Sequence, residues 1–257
     1  MTTPDAKVVD VTFQDAAGRP VEGWLVTPPP RGVVADGSRP GVVLWHWLDK
    51  EAPDGNRDEF VDEARTLAAA GVVSLLPQGR FPWSIAPTGS TSDSAEVRAE
   101  VARLRAGLDL LADRPDVDPA RLGVVGHDFG AMYAILAAAE DQRIAALALL
   151  APTPRWGDWF LPFWPIGEDR SAYLAAMRGL DPVEVIGRIA PRPILLQLAR
   201  RDFYIPLMAG FELRRAAGGD TVQLESYDAE HDLHHHDEAR ADRLAFLART
   251  LSLPSAP

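Results

Sequence analysis

Apolar residues fall along the chain in two alternating patterns. Short continuous or β-rich runs are followed by longer stretches in which apolar positions return every three or four residues. Val8–Phe13 and Val21–Thr27 are β-rich runs split by Ala16-Ala17-Gly18-Arg19-Pro20, which predicts a hairpin. Gly41–Trp45 is an unbroken apolar run, as expected of a strand buried on both faces. Across Arg57–Ala70, Phe60, Val61, Ala64, Leu67 and Ala68 keep helical spacing until Gly71. The alternation continues through a strand at Val72–Leu76 and a helix at Asp93–Ala112, where Asp93 and Glu96 are spaced like a capping box. A strand at Leu122–Gly126, a helix at Phe129–Ala139 and a strand at Ile144–Leu150 follow. Strands at Ile194–Leu198 and Val222–Tyr227 and a helix at His236–Leu251 complete the series. Strand–helix alternation of this kind predicts one α/β domain, with a mainly parallel sheet covered by helices on both faces.

One stretch breaks the rhythm. Ala151–Ala190 separates two strands by far more than a short crossover, and it carries Trp156, Trp159, Phe160, Phe163 and Trp164, punctuated by Pro162 and Pro165. Long insertions in compact domains usually cover an active site or form an interface. The expectation is a single domain over residues 1–257 with a lid at about 151–190.

Composition narrows the partners. Of 257 residues, 47% are hydrophobic and 25% charged, enough for a large core under a solvated surface. The formal net charge of −11 lacks the basic footprint of a nucleic-acid binder. Cysteine is absent, which excludes disulfides, thiol nucleophiles and cysteine-ligated metals. Met1–Asp10 is polar, without the apolar core of a secretory signal, and no run of 18 apolar residues suggests a membrane span. The expected setting is cytoplasmic, with no membrane partner.

The densest chemical signal is Val124-Val125-Gly126-His127-Asp128-Phe129-Gly130-Ala131-Met132. A buried strand runs directly into a helix, with glycines two residues before and two after a central residue. That spacing describes a nucleophile elbow, in which the central side chain is pushed out above the sheet edge. The next N–H, that of Phe129, lies at a helix N-terminus and can stabilise negative charge.

Three further segments fall in the order nucleophile, acid, histidine. The run Pro193–Gln197 leads to Arg201-Asp202-Phe203-Tyr204-Ile205-Pro206, Val222–Tyr227 leads to His231, and Val42–Trp45 ends in His46. On these residues nearly the whole chain resembles the α/β-hydrolase superfamily, and the N-terminal hairpin and small insertion look most like its dienelactone-hydrolase-like branch. The resemblance implies Asp128, His231 and Asp202 as the catalytic triad, with Phe129 as one oxyanion donor. Trp47 stands where the family usually has glycine, so the second donor is assigned to the Leu48 N–H. Most members carry serine where this chain has Asp128. Gly126-His127-Asp128-Phe129-Gly130 is similar instead to the epoxide hydrolases and haloalkane dehalogenases of the superfamily.

An aspartate ionised at neutral pH needs no base to become a nucleophile. Attack on a saturated carbon gives an ester that a histidine-activated water can hydrolyse, whereas attack on a carboxylic ester would give an uphill anhydride. The expected reaction is hydrolysis of a small, largely apolar substrate, epoxide-hydrolase-like rather than dehalogenating, because Phe129 offers no halide donor. Tyr173 and Tyr204 are the candidate acids for an alkoxide. His46, Trp47, Trp156 and Trp159 are the other candidate substrate contacts. No cofactor is required, and no metal is expected. An ester or lactone hydrolase with an altered nucleophile, and a non-catalytic ligand-binding protein, stay open as alternatives. So does a chemistry in which Asp128 acts as a base.

Several of these residues also have plain structural readings. Asp202 can serve as a turn former ahead of Pro206. His231 is preferred over His234, His235 and His236, which fit the start of the last helix. Ser84, Ser90, Ser92 and Ser94 read as caps and turns. The Trp156–Trp164 aromatics fit pocket lining, a homodimer contact or lid core equally. Arg80 and Arg155 fit either an anion contact or solvated surface.

Overall fold

The structure is a computed structural model that describes residues 6–29, 38–47, 49, 52, 55–82, 84–163, 169–218 and 221–253. In chain order its elements are β1 (Lys7–Gln14), β2 (Pro20–Thr27), β3 (Arg39–Trp45), α1 (Val61–Ala69), β4 (Val73–Pro77), α2 (Thr91–Ala112), β5 (Val117–His127) and α3 (Phe129–Glu140). Then follow β6 (Ile144–Leu150), α4 (Trp156–Phe163), α5 (Arg170–Ala176), α6 (Pro182–Val185), β7 (Ile194–Ala199), α7 (Leu207–Ala217), β8 (Val222–Tyr227) and α8 (Asp237–Thr250). Short 3-10 turns sit at Ile186–Ile189 and Leu233–His235.

The strands form one sheet in the order β1-β2-β4-β3-β5-β6-β7-β8. β1 and β2 pair antiparallel, β2 meets β4 antiparallel, and every later pairing is parallel. Continuous apolar runs form the middle strands because helices cover both of their faces: β4, β6 and β7 are buried along almost their whole lengths. This order and pairing are those of an α/β-hydrolase fold.

Four local expectations change. Helix α1 starts at Val61 rather than Arg57, because residues 55–60 form turns. Helix α2 is capped by the Ser90 side chain, which accepts the Ser92 N–H, so Asp93 is no N-cap. Asp93 sits buried in the first turn and accepts the Thr88 and Gly89 N–H groups instead. Strand β5 begins five residues early, at Val117. Helix α7 was not expected, because its large apolar residues Met208 and Phe211 face solvent while its buried face carries Ala209, Gly210, Leu213 and Ala217.

The turn from β5 into α3 is where the two layers come closest. Residues 129–138 of α3 are all buried. A Cβ at Gly130 would lie 2.3 Å from the Trp45 carbonyl oxygen of β3, and one at Gly126 would lie 2.5 Å from the Gly130 oxygen. Both glycines are needed for that approach, not for a positive φ. The positive φ falls on Asp128 between them, at 51°, a conformation that costs a non-glycine residue on the order of 1–3 kcal/mol.

At the other edge, α8 is tied down by a fully buried arginine. Arg243 donates to Glu63 of α1 at 2.6 and 3.2 Å and to Gln197 of β7 at 2.9 Å. Gln197 in turn donates to the Ala239 carbonyl. This lattice fixes the start of α8, and with it the loop that carries His231.

Replacing Gly130 by alanine forces a methyl group into the β3 backbone. The expected outcome is a loss of at least about 2 kcal/mol in urea unfolding, whereas Gly18→Ala, with nothing within 4 Å of the added carbon, costs only the strain of its positive φ. Equal losses for the two variants would show that the elbow is not closely packed.

Candidate active site

Asp128 sits between β5 and α3, and its own N–H donates to the Leu150 carbonyl of β6 at 2.8 Å. This bond and the positive φ fix the side chain at the C-terminal ends of the strands, where open α/β sheets bind ligands. The expected exposure is not found. Asp128 is fully buried, and its surroundings explain why. Trp159 of α4 packs on Phe129 at 5.4 Å, lies parallel to His231 at 6.4 Å and meets Tyr204 edge-on at 5.0 Å. Trp47 meets the His231 ring at 5.0 Å. The aromatic insertion thus closes over the elbow.

His231 lies in the loop after β8. Its Nδ1 is 2.8 Å from Asp202 Oδ2, and its Nε2 is 4.0 Å from Asp128 Oδ2. Asp202 divides its work: Oδ1 accepts the Tyr204 and Ile205 N–H groups at 2.8 and 2.9 Å, which makes the turn, while Oδ2 faces the imidazole. One oxygen of Asp202 thus forms the turn, and the other orients His231. Among the described residues no side chain hydrogen-bonds either oxygen of Asp128 or the Nε2 of His231; the backbone N–H of Phe129 is the donor turned toward the carboxyl.

Desolvation governs the charges. Burial pushes the Asp128 carboxyl up to about 7; the His231 charge and a hydrogen bond from the Phe129 N–H pull it down, while the Asp202 charge pushes it further up. Burial alone would lower His231, but its hydrogen bond to Asp202 and the charge of Asp128 outweigh that and hold the imidazole above its ordinary value.

The other candidates scatter. Tyr204 is 39% exposed, and its ring meets His231 at 5.3 Å. Tyr173 is fully buried against Phe160 and answers to the charges of Asp93 and Asp181 rather than the triad, so it does not join the site. Trp156 is lid core: its Nε1–H donates to the Leu180 carbonyl at 2.8 Å and its ring stacks on Phe129 and Tyr133. His46 is almost wholly buried and accepts the Gly79 N–H on Nε2 at 2.9 Å, so it braces the loop after β3 and does not face a substrate. Burial lowers it to about 4, which keeps it neutral. Leu48 lies outside the described residues. Phe129 occupies the first position of α3, as an oxyanion donor must. Arg155 is engaged by Asp158 and Glu212.

Glu59 was not singled out in the sequence. Its Oε2 accepts the Trp47 N–H at 2.8 Å, and its Oε1 lies 2.5 Å from His127 Nδ1. The signal was there: carboxylates at 59 and 63 interrupt the apolar stripe of a predicted buried helix face. Glu59, His127 and His234 offer ligand atoms within 4.8 Å of one another. The 2.5 Å spacing of Glu59 and His127 suits a shared proton. Two ligands of one tetrahedral ion with bonds near 2.0–2.1 Å would stand roughly 3.3 Å apart.

No protein-family model matches the chain, and no curated protein matches it in sequence. Solved structures do match in fold. The chain is similar to acetyl xylan esterase from Paenibacillus sp. R4, with a TM-score of 0.74 and 21% identity over 96% of this chain and 84% of that one. It is also similar to the α/β hydrolase GrgF from Penicillium sp. sh18 (TM-score 0.67, 17% identity, 96% and 100% of the two chains). A third is the esterase domain of a Rhodothermus marinus protein (TM-score 0.68, 16% identity, 96% and 99%). Among the described residues no helix is long and apolar enough to cross a membrane.

The raised Asp128 carboxyl makes a prediction with a definite sign. Its folded-state value, about 7, lies above the ordinary 3.8, so the native state binds the extra proton. That stability is fully present below about pH 4 and is lost as pH rises toward 7. Asp128→Asn removes the titrating group. The variant should match the parent near pH 4 and exceed it at pH 8 by on the order of 2–4 kcal/mol, read from urea midpoints. An Asp128→Asn variant less stable than the parent at pH 8 would contradict this account.

Proposed function

We propose that this protein is a hydrolase that opens a small, largely apolar substrate at a saturated carbon, through a covalent ester on Asp128. The supporting observation is the Asp128 carboxyl, without a side-chain hydrogen-bond partner, facing the Nε2 of His231 at 4.0 Å, with Asp202 holding the opposite ring nitrogen. A carboxylate that no side chain hydrogen-bonds keeps lone pairs available for attack, and the closed aromatic surroundings favour an apolar substrate.

An epoxide satisfies the charge balance of this site. The Asp128 carboxylate attacks one ring carbon, the carbon–oxygen bond breaks, and the alkoxide takes the proton of the His231 imidazolium. The products of this step are a neutral ester and a neutral imidazole, which is the base the second step needs. Water then gives one proton to His231 as its oxygen adds to the ester carbonyl, with the Phe129 N–H as the candidate donor to the oxyanion. The diol leaves with the other water proton, and the starting charges are restored. Tyr204, beside His231, is the available tyrosine for assisting the alkoxide; Tyr173 is too remote for that role.

Two of the structurally similar proteins are named as esterases, which favours a second reading. In it His231 activates water directly on an ester or lactone, and Asp128 forms no bond.

One experiment separates the two. Enzyme in excess is given an epoxide, a haloalkane or an activated ester in 18O-labelled water for a single turnover, and the Asp128 peptide is weighed. The proposal expects label in Asp128, an adduct that accumulates in His231→Gln, and a loss of at least about 10³-fold on Asp128→Ala. Product formed without label in the peptide refutes it, and ester turnover that survives Asp128→Ala moves the assignment to the second reading.

A further inference from the structure

Behind the triad, a second polar group joins the three loops that build the site. Glu59 lies at the entrance to α1 and is buried. One carboxyl oxygen takes the Trp47 N–H of the loop after β3, and the other meets His127 Nδ1 at the end of β5. His127 Nε2 is 3.0 Å from the backbone carbonyl oxygen of His231. A carbonyl only accepts, so Nε2 carries the ring proton. Two protonation patterns satisfy this chain: a neutral acid donating to neutral His127, or a carboxylate beside an imidazolium.

Burial decides between them. Neither side chain has any exposed surface, and separating charge there costs more than sharing a proton. The groups facing Glu59 are His127 from β5, His234 and Asp232 from the loop before α8, and Arg243 from α8. Arg243 is already engaged by Glu63, and Asp232 pairs with His234. Among the described residues the basic group nearest Glu59 besides His127 is His234, whose Nδ1 lies 3.4 Å from Oε1 but is held closer by the Asp232 carboxylate, so its charge is largely answered there.

The geometry points to Glu59 as a positioning residue, a neutral acid that acts through His127 on the His231 backbone and directly on Trp47. One protonated carboxyl group thereby sets the loop that carries the base and the loop that lines the oxyanion side. For its catalytic consequence the inference rests on the proposed roles of Asp128 and His231; the hydrogen-bond assignment does not. Burial also raises the Glu59 carboxyl to about 8. The native state therefore holds this proton up to that pH, and its stabilising effect fades as pH climbs from about 4.5 toward 8.

The test needs no substrate. Glutamine is the neutral isostere of the acid: its amide N–H can donate to His127 Nδ1 while its carbonyl accepts the Trp47 N–H. Melting temperature is followed from pH 5 to 9 for the parent, Glu59→Gln and Glu59→Ala, with the tautomer of His127 read by 15N NMR. The expected result is that Glu59→Gln melts with the parent at pH 5, exceeds it by several degrees at pH 9, and keeps a His127 protonated on Nε2 alone. Glu59→Ala melts lower at every pH. A Glu59→Gln variant as damaged as Glu59→Ala at pH 5, or a His127 carrying both protons in the parent, would overturn the inference. So would a stoichiometric divalent ion in the purified parent that is lost on His234→Ala, since an ion would then hold the group that the proton is said to hold. If the hydrogen-bond results hold while no substrate is ever turned over, the positioning role stands and the hydrolase reading fails alone.

Discussion

Burying a carboxyl group without hydrogen bonds is costly whenever that group is ionised. At Asp128 the described residues bring one basic side chain to within 4.0 Å, the imidazole of His231. That single contact controls how the site can be charged. It holds the imidazole above its ordinary affinity for a proton, and it opposes the burial that would otherwise leave the carboxyl fully neutral. The histidine loop, the acid loop and the aromatic cover are arranged around keeping this pair close and dry.

The backbone bears the cost of that arrangement in identifiable places. Asp128 takes a positive φ. Gly130 gives up a side chain so that α3 can approach the Trp45 carbonyl of β3, and Gly126 gives one up so that the first turn of α3 can fold back on the end of β5. The buried Arg243, with Glu63 and Gln197, locks α8 to α1 and β7. Buried ion pairs add little net stability, but they fix geometry because breaking one leaves a charge unmatched. Here the geometry fixed is the start of α8, and so the position of His231 relative to the elbow. On the proposed reading a stable fold and a reactive site pull against each other at one residue, since the same desolvation that destabilises the native state keeps the carboxylate unsolvated.

The mainly parallel sheet, and the placing of Asp128, Asp202 and His231 just after strand ends, were legible in the sequence because they rest on period and order. The strands from Gly41 to Tyr227 are apolar runs, and Asp128, Asp202 and His231 follow strand ends in a fixed sequence. Helix α7 was not legible, because solvent-facing Met208 and Phe211 blur its stripe and its true inner face is made of small residues. The roles of Trp156 and Tyr173 were not legible either. Their spacing says that they belong to the insertion, but only packing shows that both turn into its core while Trp159 turns toward the triad. Glu59 was hidden for a different reason: a buried acid and an exposed acid look alike in one sequence, and what distinguishes this one is the distant partners Trp47 and His127.

The other buried acids of the chain give the sharpest argument about Asp128. Asp93 accepts the Thr88 and Gly89 N–H groups and the Thr88 hydroxyl. Glu100 accepts the Arg80 N–H and pairs with Arg103. Asp15 accepts two backbone N–H groups and the Arg19 guanidinium. Glu63 takes Arg243, and Glu59 has Trp47 and His127. Each of these is saturated in the way that buried polar groups in folded proteins generally are. Among the described residues Asp128 is the buried carboxyl group that no side chain hydrogen-bonds at either oxygen. A purely structural acid in that position would be replaced by asparagine or an apolar residue at a gain in stability. Keeping an unsaturated carboxyl at a strained turn, opposite a histidine that is itself oriented by a second acid, is what a reacting group requires. On the proposed reading the attacking oxygen has to be free when the substrate arrives, and the imidazole has to be close enough to supply a proton and then take one back.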